Sequence, residues 1–376
     1  MDPVRLAVIG LGGMGRAHVR NIRGSSCATL VGFADVDVEG AKAFAAEISE
    51  QNGVEIPVFA DHEALISAGL AEAVLIASPH PAHTDAAVAA FQAGLHVLCE
   101  KPVAERVSSV DRVNAAAAEA GTVYSVMFQH RLDPDKRRLR RAIQEGVLGR
   151  VTRMHFVATG SYRGQSYYDS GAWRGTWAGE GGGVLMNQAP HDLDQVYWQM
   201  GPATRVFARC RTTDVHTIEV ENDAEALIDF ANGAVGFFAA ATCERPGVRR
   251  IEIYGDRGIL ALADGELAQR QTNCSIRDFN RGDGDGPEEL EVADPVVLEP
   301  DTPEVGGHLG MAENFFRAIR TGEPLISPGP EAIHSLELAN AMVLSSELGR
   351  PVDLPLDRAA YDDLADRKIA QYSTPK

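Results

Sequence analysis

Short apolar runs recur through the first third of the chain, at Val4 to Ile9, Leu30 to Ala34, Val58-Phe59, Ala73 to Ala77, His96 to Cys99 and Thr122 to Met127. Ala-rich stretches with helical character separate them at 38–50, 83–93 and 108–120. Short runs without polar alternation read as strands buried on both faces, and strands alternating with helices predict an α/β domain built on a parallel, doubly wound sheet. After Met127 the pattern changes. Pro134 to Glu145 reads as a helix, and longer stretches at 151–159, 205–212, 223–230, 234–242 and 249–255 alternate apolar with polar residues. Asn232-Gly233 between two of these is a hairpin signal, so the second half reads as α+β on a largely antiparallel or mixed sheet.

The size of the chain agrees with two domains, since 376 residues exceed what one core usually organises. A hydrophobic content of 45% with 23% charged residues is that of a globular protein. The formal net charge of −18 changes the picture more. Such a surface repels phosphate backbones and anionic lipids, which argues against nucleic acid and membranes as partners. Anionic small substrates stay open, because a local cluster of Arg or Lys can outweigh the global field. Met1-Asp2-Pro3 leads straight into the first apolar run, and no run is long enough to span a bilayer, so the expected location is cytoplasmic. The five cysteines, Cys27, Cys99, Cys210, Cys243 and Cys274, lack C-x-x-C spacing and read as reduced thiols; no metal is expected.

The first run ends in Gly10-Leu11-Gly12-Gly13-Met14-Gly15 and is followed by a helical stretch from Arg16 to Arg23. This strand, loop and helix context gives the G-x-G-x-x-G pattern its meaning: Gly10 permits the turn, Gly12 lets the backbone approach a pyrophosphate, and Gly15 lets helix and strand pack closely. Asp35 ends the second run about twenty residues beyond Gly15, where an acid accepts from ribose hydroxyls. A carboxylate there repels the extra phosphate of NADP, so NAD is the expected cofactor and NADP the less favoured one. Ser78-Pro79-His80-Pro81-Ala82-His83 follows the fourth run; with no thiol or acid beside them, its two histidines read as capping and packing groups rather than zinc ligands. Glu100-Lys101-Pro102 ends the fifth run. Ligands of open α/β sheets bind outside the carboxyl ends of the strands, so Lys101 faces the cofactor crevice, with Pro102 restricting its backbone.

In the second half, Arg137, Arg138, Arg140 and Arg141 read as a solvated helix face. Tyr167-Tyr168 and Trp173-Arg174-Gly175-Thr176-Trp177 set aromatic rings beside an arginine and hydroxyls, which suits a carbohydrate and equally suits core packing. Leu193, Val196, Tyr197 and Met200 recur at helical spacing, predicting one helix through Asn187 and His191 to Gly201, with those two residues sharing a face turned away from the apolar stripe.

Taken together, these motifs resemble the glucose-fructose oxidoreductase, inositol dehydrogenase and rhizopine-catabolism (Gfo/Idh/MocA) family. The resemblance rests on Gly10-x-Gly12-x-x-Gly15, Ser78-Pro79 with His83, Glu100-Lys101-Pro102, Trp173-Arg174, Gly181 to Gly183 with His191 and Asp194, and a C-terminal stretch from Gly307-His308 through Asn314 to Ile319 and Val352 to Pro355. It implies a Rossmann domain over 1–128 and a substrate-binding and oligomerisation domain over 129–376, built on a large open sheet that pairs with other copies as a homodimer or homotetramer. It implies reversible oxidation of a secondary alcohol on a sugar or cyclitol, with Lys101 and His191 catalytic. Gly10, Gly12, Gly13, Met14, Gly15, Asp35, Ser78, His83, Glu100, Lys101 and Gln129 are expected at the cofactor, and Asn187, Tyr168, Trp173, Arg174 and His308 at the substrate. Many inositol-dehydrogenase-like members carry Asp where this chain has Asn187, which makes His191 less basic here and shifts acid/base work toward Lys101. Two other readings compete: an NAD-responsive regulator without turnover, and a glycoside-cleaving enzyme that retains NAD and oxidises transiently.

Overall fold

The computed structural model describes residues 2–53, 55–282 and 289–373. It divides into two compact units that are discontinuous in sequence. The first comprises 1–129, 179–181 and 304–333; the second comprises 130–178, 182–303 and 334–376. A single boundary at 128/129 therefore does not describe the chain, because residues 304–333 return to the first unit.

The first unit alternates β1 (Val4–Ile9), α1 (Gly13–Ile22), β2 (Ala28–Ala34), α2 (Val38–Asn52), β3 (Val58–Phe59), α3 (His62–Ser67), β4 (Ala73–Ile76), α4 (His80–Gln92), β5 (His96–Cys99), α5 (Val107–Ala120) and β6 (Tyr124–Val126). The six strands form a parallel sheet in the order β3-β2-β1-β4-β5-β6. Leu6, Val8, Val74, Leu75, Val97 and Leu98 are fully buried, which is why these runs lack polar alternation. The strand order reverses between β1 and β4, and such a reversal opens a crevice at the strands' carboxyl ends. Helix α4 begins at His80 rather than at residue 83, because Pro81 in its first turn lacks only an N–H that has no intrahelical partner there.

The second unit contains α6 (Pro134–Gln144), β7 (Val151–Ala158), α7 (Gln165–Asp169), α8 (Val184–Asn187), α9 (Pro190–Met200), β8 (Ala203–Arg211), β9 (Asp223–Phe230), β10 (Val235–Ala241), β11 (Arg249–Gly255), β12 (Gly258–Ala263), β13 (Glu266–Gln271), α10 (Ile276–Arg281) and β14 (Val296–Val297). Helix α11 (Gly307–Thr321) belongs to the first unit, where Arg320 donates to the carbonyls of Asp2 and Pro3. The chain closes with α12 (Ala332–Leu348), β15 (Val352–Asp353) and α13 (Arg358–Ser373). The nine strands of the second sheet run β14-β13-β12-β11-β7-β10-β9-β8-β15. All its pairings are antiparallel except β7 with β10. Gly233, at φ +83°, turns β9 into β10 as the Asn-Gly signal predicts.

The helix expected to run unbroken through Asn187 is interrupted. Helix α8 stops at Asn187 and α9 starts at Pro190, whose missing N–H ends the intrahelical ladder. Helix α9 is fixed instead by a buried ion pair. Nε of Arg131 donates to both Asp194 oxygens at 3.2 and 3.0 Å, and Nη2 donates to Oδ1 at 2.6 Å, with both side chains 1% exposed. Deleting one partner of such a pair strands the other charge. Asp194→Ala should therefore cost about 3–5 kcal/mol of stability in a denaturant melt, and a loss below about 1 kcal/mol would show that the pair carries no weight.

Candidate active site

In the first unit, the glycine loop lies at the reversal of the sheet. A Cβ on Gly10 would meet the Ser78 backbone nitrogen at 2.4 Å, and one on Gly15 would meet the Gly10 carbonyl oxygen at 1.9 Å, so neither position admits a side chain. Gly12 and Gly13 face open space and Met14 is exposed, leaving backbone N–H groups at the start of α1 free to be approached. Asp35 Oδ2 accepts from the Leu11 N–H at 2.5 Å and Oδ1 from the Asp37 N–H at 2.8 Å. These bonds pin the carboxylate against the loop while each oxygen keeps a lone pair. The cradle closed to a Cβ, the open glycine face and the pinned acid together fit a dinucleotide.

The other strand ends are tied together by histidines. One ring nitrogen of His83 lies 2.9 Å from the Pro102 carbonyl oxygen and the other 2.6 Å from that of Ser78, linking the ends of β4 and β5. Burial lowers the pKa of His83 and drives that of His80 down to about 3, so His80 is neutral at pH 7. The peptide between Lys101 and Pro102 is cis. Glu100 is buried; its Oε1 lies 2.6 Å from His18 Nε2 and its Oε2 accepts the Lys101 N–H at 3.1 Å. Burial pushes the Glu100 carboxyl up, but the hydrogen bond and charge of His18, then the charge of Lys101, outweigh it and leave the pKa below the usual range.

His18 was missed in the sequence, although Gly15, His18, Val19 and Ile22 form the buried stripe of α1 and a histidine in such a stripe is the signal. His308, expected at the substrate, belongs to the first unit and packs edge-on against His18 with centroids 5.3 Å apart. Gln129 opens a 3-10 turn over Gln129–Leu132.

In the second unit, His191 is 9% exposed, not on the solvated face that its spacing suggested. Its ring lies against that of His130 at 4.4 Å, and Arg131, next in the chain, holds Asp194 of the same helix. Tyr168 is a packing residue: its hydroxyl lies 2.9 Å from Thr242 Oγ1 and its ring rests on His216. Tyr167 stands where Tyr168 was expected. Its hydroxyl accepts from Arg174 Nη1 at 2.5 Å and from Asn187 Nδ2 and Gln188 Nε2 at 3.1 Å each, while Trp173 stacks under Arg174. Nothing in the sequence separates Tyr167 from Tyr168; the one-turn helix α7 decides which faces the cluster.

Glu221 also escaped sequence reading. Its Oε1 accepts from the Gly183 N–H at 2.9 Å and the Leu185 N–H at 3.1 Å, and a Cβ on Gly183 would strike its carbonyl oxygen at 1.8 Å. Gly183 is therefore the close approach that fixes the start of α8.

Residues 4–128 match the family model described as the oxidoreductase family with an NAD-binding Rossmann fold, and residues 137–261 match the GFO/IDH/MocA C-terminal domain. A myo-inositol 2-dehydrogenase of Thermotoga maritima is 26% identical over 93% of this chain and 98% of its own length. An inositol 2-dehydrogenase of Rhizobium meliloti is 25% identical over 93% and 99%. The crystal structure of the WlbA dehydrogenase from Bordetella pertussis, in complex with NADH and UDP-GlcNAcA, superposes with a TM-score of 0.76 at 26% identity, covering 94% of this chain and all of that one. The protein is thus an NAD-binding oxidoreductase. It belongs to the GFO/IDH/MocA family, as its motifs implied. Among the described residues, no helix is long and apolar enough to cross a membrane, and no three His, Cys, Asp or Glu side chains gather as a metal site.

Burial raises the Glu221 carboxyl from its ordinary 4.5 to about 7 against the backbone N–H bonds that lower it. A raised acid binds its proton more tightly when folded, so this group's contribution to stability falls as pH rises from about 4.5 to about 7, by about 3 kcal/mol in all. Glu221→Gln keeps an oxygen acceptor but cannot titrate. Its melting temperature should exceed that of the parent above pH 7 and vary less between pH 5 and 8; parallel pH profiles would refute the assignment.

Proposed function

We propose that this protein is an NAD-dependent dehydrogenase that oxidises a secondary alcohol of a sugar, sugar derivative or cyclitol. The observation that carries the reading is Lys101 at the end of β5, its backbone N–H held by the buried Glu100 carboxylate in the dinucleotide unit. The names of the inositol 2-dehydrogenases supply the substrate class. Gly10, Gly12, Gly13, Met14 and Gly15 would hold the pyrophosphate, and Asp35 the ribose hydroxyls, which favours NAD over NADP. Ser78, His83, Glu100, Lys101 and Gln129 complete the cofactor surroundings. Held by these residues, the nicotinamide would supply the hydride acceptor.

The chain's own work is on the proton. Lys101 donates a hydrogen bond to the reacting oxygen and lowers the cost of the charge that develops there. His191 serves as the acid/base partner. Asn187 brings no charge to the histidine, and its amide donates to Tyr167, so more of the proton transfer falls on Lys101 than in relatives with an acid at that position. Trp173, Arg174 and Tyr167 bind the substrate, while Tyr168 acts from the packing beneath.

The reading extends to assembly. Phe207 and Leu227 are opposite neighbours on β8 and β9, exposed by 46% and 59%, and Val235 on β10 is 44% exposed. Such an apolar sheet face suits a second copy in a homodimer or homotetramer. Leu227→Lys should reduce the mass seen by light scattering; an unchanged mass would remove this face from the interface.

Mixing the protein with NAD and a panel of sugars, sugar acids and inositols should produce NADH absorbance. Lys101→Ala should lower kcat by about 1,000-fold and His191→Ala by about 100-fold, with NADH still bound by fluorescence. Near-normal turnover by Lys101→Ala would overturn the mechanism.

A further inference from the structure

The Tyr167 cluster of the second unit gathers two arginines over one ring. The guanidinium of Arg174 lies 4.3 Å from the Tyr167 ring centroid and 4.3 Å from that of Trp173, and the guanidinium of Arg163 lies 5.0 Å from the same Tyr167 centroid. Among the described residues neither arginine forms an ion pair, whereas Arg131, Arg211 and Arg249 of the same unit are paired with Asp194, Asp223 and Asp192. Arg163 Nε is buried without a hydrogen-bond partner.

Arg174, Asn187 and Gln188 all donate to the one Tyr167 hydroxyl oxygen, so a guanidinium and two side-chain amides converge on one point. Asn187 sharpens this, since a carboxylate at 187 would have neutralised one cation. Two like charges over one ring gain a modest cation-π attraction from it, but no counter-charge. An exogenous carboxylate supplies one negative charge and two oxygens with four lone-pair sites, matched in plane to guanidinium forks and side-chain amides. In a chain of formal net charge −18, a half-buried, uncompensated arginine pair is the local exception that an anion needs.

We infer that the substrate is a sugar acid, an aldonate or uronate, whose carboxylate is bound by Arg163 and Arg174 with Asn187 and Gln188 as amide donors. This rests on the dehydrogenase reading and narrows its substrate class.

The test uses the full chain with NAD and matched sets of compounds: glucose, gluconate, glucuronate and glucose 6-phosphate; the galactose counterparts; and myo-inositol. At least one acid should exceed its neutral counterpart in kcat/KM by about 100-fold. Arg163→Gln and Arg174→Gln should each reduce that acid-to-neutral ratio by at least about tenfold, mainly through KM, while the NADH-induced thermal shift persists and reports an intact fold. Better turnover of a neutral or phosphorylated compound than of every acid would overturn the inference and leave the dehydrogenase reading standing. Equal losses on acid and neutral substrates in both variants would overturn it too. If NADH binds but no compound is oxidised, the dehydrogenase reading fails. Calorimetry with gluconate and glucuronate then decides the subsite alone: binding that weakens in Arg163→Gln supports it, and no binding overturns it.

Discussion

The buried carboxylate of Glu100 is the constraint on which the dinucleotide unit depends. A carboxylate taken out of water must be paired, and here one oxygen meets His18 of α1 while the other takes the Lys101 backbone N–H. One side chain thereby joins the helix that follows the glycine loop to the end of β5. His308 of α11 packs on His18 from another side, one of the contacts that tie residues 304–333 to this unit. Lys101 leaves the sheet from a fixed backbone, and that is the condition for a flexible side chain to act at one place.

The second unit solves a similar problem with different groups. Buried Arg131 and Asp194 lock α9, which brings His130 against His191, and Glu221 clamps the glycine turn that starts α8. Pro190 separates the two helices, so Asn187 serves the tyrosine cluster while His191 is held by packing. The charge contrast between the clusters follows. Glu100 is an anion shared among histidines and a lysine, whereas among the described residues Arg163 and Arg174 form no ion pair.

Much of the fold was legible because it is written in periodicity. Unbroken apolar runs gave the parallel sheet, alternation gave the mixed one, and Asn232-Gly233 gave its hairpin. The glycine fingerprint was legible because steric exclusion at Gly10 and Gly15 leaves no other residue. What stayed hidden was whatever depends on which side chains meet across long separations. Arg131 carries no sequence mark of burial, Glu221 looks like any loop acid, and Tyr167 and Tyr168 differ only in the turn that presents them. His308 was assigned to the substrate from resemblance, while its contact with His18 requires α11 to return to the first unit.

In the proposed mechanism Glu100 acts through Lys101, and a double-mutant cycle in kcat tests that coupling most directly. Glu100→Gln alone should slow turnover by about 100-fold, whereas the same change in a Lys101→Ala background should add little, since the group it orders is gone. Fully additive losses, with NADH affinity held equal across the four proteins, would contradict the account.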